Sequence, residues 1–127
     1  MRFTQDSNSA TNVIRAYSRG ELRINGNTYW ETVMVSGSAI VIVPEVRDVD
    51  DLPRFDVSRL LALEPELVLL GTGPAQVFPD AAFRAKFLSA GIGFEVMDTG
   101  AACRTFNVLV AEQRRVAALL MVRKSAE

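Results

Sequence analysis

The amino-acid sequence predicts one α/β domain, in which N-terminal antiparallel hairpins lead into a C-terminal βαβαβ unit. Two apolar runs, 67–70 and 94–97, end in the glycine-bearing turns Gly71-Thr72-Gly73 and Asp98-Thr99-Gly100. A helical pattern follows each turn, and strands that alternate with helices are typical of a parallel sheet. Asn25-Gly26, between two shorter apolar stretches, is a strong hairpin signal. The length of 127 residues fits a single domain, 1–127.

The first third of the chain has the pattern of an antiparallel β segment. We expect strands at 13–18, 21–24, 27–35 and 39–43, separated by turns at 19–20, 25–26 and 36–38. The polar residues 1–12 before them are interpreted as a mobile arm. Tyr29 and Trp30 are adjacent in the third strand, so one of the two should face solvent, where it marks an interface or covers a sheet edge.

The remainder of the chain alternates helices with strands. We expect helices at 57–63, 81–90 and 101–112, and strands at 67–70, 94–97 and 116–122. Asp56, Asp80 and Thr99 precede the three helices as N-cap residues, whose side-chain oxygens accept hydrogen bonds from free amides. Pro65 and Gly91 end the first two helices.

The composition excludes several classes of function. The chain has no histidine and one cysteine, which excludes His-based metal sites, Ser-His-Asp and Cys-His catalysis, and an internal disulfide. A net charge of −1 gives no field that attracts nucleic acid. Asp48, Asp50 and Asp51 lack the spacing of a calcium loop, so we expect a solvated loop and no metal site. No apolar run is long enough to span a bilayer and no targeting segment is evident, so we expect a cytoplasmic protein.

The segment Asp98–Asn107, which reads DTGAACRTFN, resembles the Mth938-like proteins, also called the DUF498 family. Leu109, the run 112–119, the strand and turn at 67–73 and the N-terminal hairpins agree, so the resemblance covers nearly the whole chain. It implies a three-layer α/β fold with a central mixed sheet, whose last strand is antiparallel to its neighbours. Most bacterial and archaeal members have no known function, and a mitochondrial relative is an assembly factor for respiratory complex I. The resemblance brings no catalytic residues.

Gly71-Thr72-Gly73 resembles half of a dinucleotide fingerprint, in which glycines let the backbone approach a pyrophosphate. A third glycine is missing, and Pro74 and Pro79 delay the next helix until about Asp80. The helix amides therefore cannot sit directly on the turn. We expect a tight strand exit here rather than a nucleotide site, and no cofactor.

Cys103 falls in the first turn of the third predicted helix. The helix dipole and the neighbouring Arg104 would lower the pKa of its thiol and make it a candidate reactive thiol. The alternative, a small core-filling side chain, is the commoner role of a helical cysteine.

The polar residues around the second turn form the best candidate site. Thr99 is expected to cap the helix, and Thr105, near the apolar face, to bond back to a carbonyl. Arg104 and Asn107 share the opposite face at i and i+3. The core does not need either of them, so both are candidates for contacting a partner or an anion, with a solvated face as the alternative.

The leading functional prediction is a non-enzymatic interaction or assembly module with a protein partner or a small anionic ligand. The alternative is a protein or enzyme that binds a small molecule or nucleotide in a cleft at the strand ends, between Gly71–Gly73 and Asp98–Gly100. No catalytic residue is assigned. We expect no nucleic-acid partner, no integral membrane segment, and a monomer or weak homodimer.

Overall fold

The computed structural model describes residues 11–18 and 20–122, and confirms the α/β class. The strands are β1 Ile14–Ser18, β2 Glu21–Ile24, β3 Asn27–Tyr29, β4 Val33–Ser36, β5 Ile40–Ile42, β6 Leu67–Gly71, β7 Gly93–Met97 and β8 Val116–Leu120. A 3₁₀ helix covers Val49–Arg54, and the α-helices are α1 Ser58–Leu61, α2 Ala81–Leu88 and α3 Thr99–Ala111. The predicted elements therefore recur in the expected order, with shifted ends.

The described strands form a mixed five-stranded sheet, in the order β5-β4-β8-β6-β7, and a three-stranded antiparallel sheet, β1-β2-β3. β6 is parallel to both β7 and β8, because α2 and α3 each return the chain to the end of the sheet at which β6 begins. β4 is antiparallel to β5 and β8. The expectation that the last strand is antiparallel to its neighbours is therefore correct toward β4 and wrong toward β6.

Two hydrophobic cores lie on opposite faces of the five-stranded sheet and give the fold its three layers. Val68 and Leu70 point into one core, which includes the 3₁₀ helix, α1 and α2. In that core the rings of Phe87 and Phe94 stack with their centroids 5.0 Å apart. Leu69 points into the other core, with α3 and the three-stranded sheet. Both faces of β6 are thus covered, which explains its unbroken apolar sequence.

The stretch 27–35, predicted as one strand, is divided between the two sheets. It forms β3 at Asn27–Tyr29 and β4 at Val33–Ser36, and residues 30–32 link them. Trp30 is 66% exposed in this link, so it is the outward member of the Tyr29–Trp30 pair. The apolar sequence runs through the break, because both strands need apolar side chains.

Residue 12, expected in a mobile arm, is fixed in the fold, while residues 1–10 lie outside the described part. The Asn12 side chain is 7% exposed, and its Nδ2 donates to the carbonyls of Ser36 and Ala39 at 2.8 and 3.2 Å. Asn25 Nδ2 donates to Asn12 Oδ1 at 3.0 Å. This amide therefore ties the start of β1 to two turns.

Side chains at the helix starts differ in part from the predicted caps. Asp56 Oδ1 accepts from the backbone N–H of Ser58 at 3.0 Å, next to the short α1. Asp80 stands at the N-cap of α2 but makes no side-chain capping bond. Asp48 and Asp51 form a capping box at the start of the 3₁₀ helix. The acidic loop is thus ordered by hydrogen bonds that its own backbone amides donate to its carboxylates.

Within the described residues, no helix combines the length and the apolar character that crossing a membrane requires.

Candidate functional site

The carboxyl ends of β6 and β8 meet at one side chain, Thr99, at the start of α3. Thr99 is fully buried. Its Oγ1 donates to the carbonyl of Met121 at 2.7 Å and accepts from the N–H of Gly73 at 2.8 Å. The backbone N–H of Thr99 also donates to the carbonyl of Gly73, at 2.9 Å. One residue therefore closes the strand ends at which open α/β sheets usually bind ligands.

The glycines of the first turn make this closure fit. A Cβ at Gly71 would lie 3.0 Å from both Cα and Oγ1 of Thr99. Gly73 has φ +93°, a backbone conformation that residues other than glycine rarely adopt. The two turns thus contact each other directly, with Gly71 and Gly73 on one side and Thr99 on the other. Gly71 and Gly73 permit this close packing.

Thr72 organises the loop that follows the first turn. Its side chain is 5% exposed; its Oγ1 donates to the carbonyl of Ala75 at 2.6 Å and accepts from the N–H of Val77 at 3.0 Å. The Gln76 amide donates to the carbonyl of Val96 at 2.9 Å. The loop is therefore held against β7, while Phe78 at its end stays 67% exposed.

The cap of α3 is Asp98, where the sequence had suggested Thr99. Asp98 Oδ1 accepts from the N–H of Ala101 at 2.9 Å, and Thr99 lies inside the helix. Thr105 Oγ1 lies 3.5 Å from the sulfur of Met97, so the expected bond back to a carbonyl is absent from its contacts. The predictions for Thr99 and Thr105 were wrong because Gly73, Met121 and Met97 contact these side chains, and the helix sequence alone does not reveal those contacts.

Asn107 is a structural residue, contrary to the prediction that it is free for a partner. Its Oδ1 accepts from the N–H of Ile14 at 2.9 Å, and its Nδ2 donates to the carbonyl of Ile14 at 2.8 Å. The side-chain amide thus pairs with β1 as a neighbouring strand would. The register of β1 against β2 shifts between Ile14 and Ala16, so Arg15 lies in a bulge, and bulges redirect side chains.

Cys103 does not have the low pKa that its position in the helix suggested. The residue is 6% exposed in the core beneath α3. Burial raises the pKa of its thiol to about 12, with a smaller increase from Asp98, and the Arg104 guanidinium offsets only part of this. The cost of desolvating the thiolate therefore exceeds the stabilisation that the helix dipole and Arg104 give it. Cys103 fills space in the core beneath α3.

What remains open at this site is a shallow pocket between β1 and α3. Its volume is about 130 Å³, and Arg15, Tyr17, Gly100 and Arg104 are among its lining residues. Within the described chain, neither arginine side chain forms an ion pair or hydrogen bond. Burial raises the pKa of the Tyr17 hydroxyl, Cys103 and Asp98 raise it further, and Thr99 lowers it. Sequence reasoning missed Arg15, because a bulge depends on the partner strand.

The three-layer arrangement with its closed strand ends defines an α/β protein of the Mth938-like class. The model of the DUF498/DUF598 family, described as a protein of unknown function, matches residues 14–121. The chain therefore belongs to this family, as the resemblance at 98–107 indicated.

The proteins similar to this chain include an assembly factor and a membrane protein. NADH dehydrogenase [ubiquinone] 1 alpha subcomplex assembly factor 3 of Danio rerio is 37% identical over 119 residues, which are 92% of this chain and 68% of that protein. The 13 kDa major membrane protein of Francisella tularensis is 25% identical over 122 residues, 95% of this chain and 99% of that protein. The relatives thus support a family with assembly factors among its members.

Solved structures share the fold. An NMR structure from Xanthomonas campestris is 32% identical with a TM-score of 0.81, and the match covers 100% of this chain and 96% of that one. An outer membrane protein from Bartonella henselae is 30% identical with a TM-score of 0.75, covering 91% and 98%. A Mth938-like domain from Bordetella pertussis is 26% identical with a TM-score of 0.77, covering 99% and 95%.

Thr99→Val should destabilise the fold strongly. The substitution keeps the side-chain volume but leaves the Gly73 N–H and the Met121 carbonyl without the hydroxyl, at an expected cost of roughly 2–4 kcal/mol. Thr99→Ser keeps the hydroxyl and should lose only about 1 kcal/mol for the buried methyl group. Urea denaturation of both variants measures the difference, and equal losses would contradict the role of the hydroxyl.

The stability of the folded protein should fall in alkali partly through Cys103. The pKa of the folded thiol, about 12, lies above its ordinary value of 9.0, so folding favours the protonated form. The stabilisation is complete below the lower value and is lost as the pH rises toward the higher one. Urea midpoints across this range should fall less in Cys103→Ala than in the native chain. Rapid labelling of the native thiol at neutral pH would contradict the account.

Proposed function

We propose that the protein is a non-enzymatic interaction module that helps a protein complex to assemble. On this proposal Arg15 and Arg104 bind an acidic side chain of the partner. The observation that supports it is the pair of unpaired guanidinium groups at one pocket of the described chain. The assembly-factor names of relatives that are 37% and 32% identical support the class of function.

The size of the pocket favours a side chain over a free metabolite. Its volume of about 130 Å³ is well below the roughly 300–1,000 Å³ of typical small-molecule sites. A carboxylate at the end of a partner's side chain needs little space. Arginine presents a planar fork of donors that matches a carboxylate, so this pair of residues suits an acidic partner.

The backbone beneath the two arginines is held in place before a partner arrives. Asn107 fixes Ile14 by two hydrogen bonds, at 2.9 and 2.8 Å, directly beside the bulged Arg15. Arg104 lies one helical turn before Asn107 on α3. A preorganised site loses less conformational entropy on binding, so the amide contributes to recognition without contacting the partner.

Charge reversal at the pocket should remove the partner. Arg104→Glu and Arg15→Glu each place a carboxylate where the partner's acidic group would bind, so capture of the partner from a lysate of the source organism should fall by about tenfold or more. Arg84→Glu is the matched control, since Arg84 is an exposed arginine on α2, on the other side of the sheet, and forms no ion pair with any described residue.

A partner retained equally by all three variants would contradict the assignment of this pocket. Loss of the partner in the Arg84 control as well would indicate a general effect of charge. A small anionic ligand, the other occupant expected from the sequence, would use the same two guanidinium groups. Phosphate or acetate in excess would then compete with the partner for the native chain.

We also propose a cytoplasmic location and a monomer or weak homodimer, as predicted from the sequence. Light scattering on the purified protein measures the oligomeric state.

A further inference from the structure

We propose a second binding site, in the pocket at the junction of the two sheets, for a zwitterionic ligand of the amino-acid or short-peptide type with an apolar side chain. The pocket has a volume of about 560 Å³, and its walls include Trp30, Glu31, Thr32, Pro44, Arg47 and Val122. This inference goes beyond the proposed function, because the site shares no lining residue with the pocket at Arg15 and Arg104.

The aromatic wall of this pocket is exposed. Trp30 lies in the link between β3 and β4 and is 66% exposed. An indole ring is a large apolar surface that releases water when a ligand side chain covers it. Pro44 and Val122 extend the apolar lining. The pocket therefore has a place for the apolar part of a ligand.

A buried hydroxyl group at this pocket has no hydrogen-bond partner among the described residues. Thr32 is 4% exposed, and within the described chain its side chain forms no hydrogen bond, although its backbone carbonyl accepts from Val43 at 2.7 Å. Buried polar groups in proteins are nearly always hydrogen-bonded, and an exception calls for an explanation.

The other buried polar side chains of the described residues show that Thr32 is unusual. Asn12, Ser36, Thr72 and Thr99 are also buried, at 9% exposure or less, and each forms side-chain hydrogen bonds. A ligand that hydrogen-bonds to the Thr32 hydroxyl would supply the partner that this buried group lacks among the described residues. Thr32 thus indicates a polar ligand group at the inner end of the pocket.

Two opposite charges at the pocket define the chemistry of the ligand. Glu31 and Arg47 are exposed, and neither side chain forms an ion pair with a described residue. The backbone N–H of Arg47 donates to Asp51 at 2.8 Å, which lowers the pKa of that carboxyl, and the charge of the Arg47 side chain lowers it further. A ligand ammonium group complements Glu31 and a ligand carboxylate complements Arg47. A ligand that carries both groups satisfies both residues.

The volume fits a ligand of this class. About 560 Å³ lies within the roughly 300–1,000 Å³ of small-molecule sites. This space accepts a free amino acid or a peptide of a few residues, which share the ammonium, the carboxylate and the apolar side chain. Comparing a free amino acid with a dipeptide distinguishes these two kinds of ligand.

Fluorescence of Trp30 reports directly on this site, because it is the only tryptophan in the chain. Titration with L-phenylalanine and with the dipeptide phenylalanyl-alanine should give a saturable change in emission for at least one of them. The ligand that binds more tightly shows whether the site prefers a free amino acid or a peptide. N-acetyl-phenylalanine and phenylalaninamide each lack one charge, so they should bind about tenfold more weakly. No change for any ligand at millimolar concentration, or equal binding of the blocked ligands, would overturn the proposal.

Two variants test the assigned contacts. Thr32→Val should leave the stability of the empty protein unchanged or raise it, because an unpaired hydroxyl is replaced by a methyl group, and should weaken binding of the zwitterion. Arg47→Gln should weaken the zwitterion and leave phenylalaninamide unaffected, whereas Arg54→Gln, at an exposed arginine of the 3₁₀ helix, should change neither. Native affinity in both Thr32→Val and Arg47→Gln would overturn the assignment.

Discussion

The hydroxyl group of Thr99 is the interaction on which the arrangement of this domain depends. It donates to the carbonyl of Met121 at 2.7 Å and accepts from the N–H of Gly73 at 2.8 Å, so it joins the ends of β6 and β8 to the start of α3. The residue is fully buried, where an unpaired donor or acceptor would be costly. The absence of a Cβ at Gly71 lets the helix approach this closely. The two glycine-bearing turns therefore form one joint.

This joint bears on where the proposed binding surfaces lie. Open α/β sheets commonly bind ligands outside the carboxyl ends of their strands, but here Thr99 and the first turn fill that position. The two surfaces proposed for binding lie elsewhere: the flank of α3, where Arg15 and Arg104 line a small pocket, and the junction of the two sheets at Trp30. Binding at these surfaces requires no opening of the core, which suits a recognition module.

Much of the fold follows from local sequence, whereas the site depends on contacts that local sequence does not contain. The apolar run of β6 and the turn at Asn25 define their elements, because periodicity and turn chemistry act over a few residues. Asn107 bonds to Ile14, which is 93 positions away, so it appears free when only its helix is considered. Asp98 and Thr99 are both good caps, and propensity cannot choose between them. The pKa of Cys103 is set by burial, which the helix position alone does not reveal.

Amide hydrogen exchange at Gly73 tests the central role of Thr99 most directly. Its N–H donates to a fully buried hydroxyl at 2.8 Å, so it should exchange only by global unfolding, as the most protected amides of a core do. The Thr99→Ser variant should keep this mechanism, and Thr99→Val should expose the amide to local exchange. Exchange of the Gly73 amide in the native chain at the rate of the exposed loop amides would contradict the account.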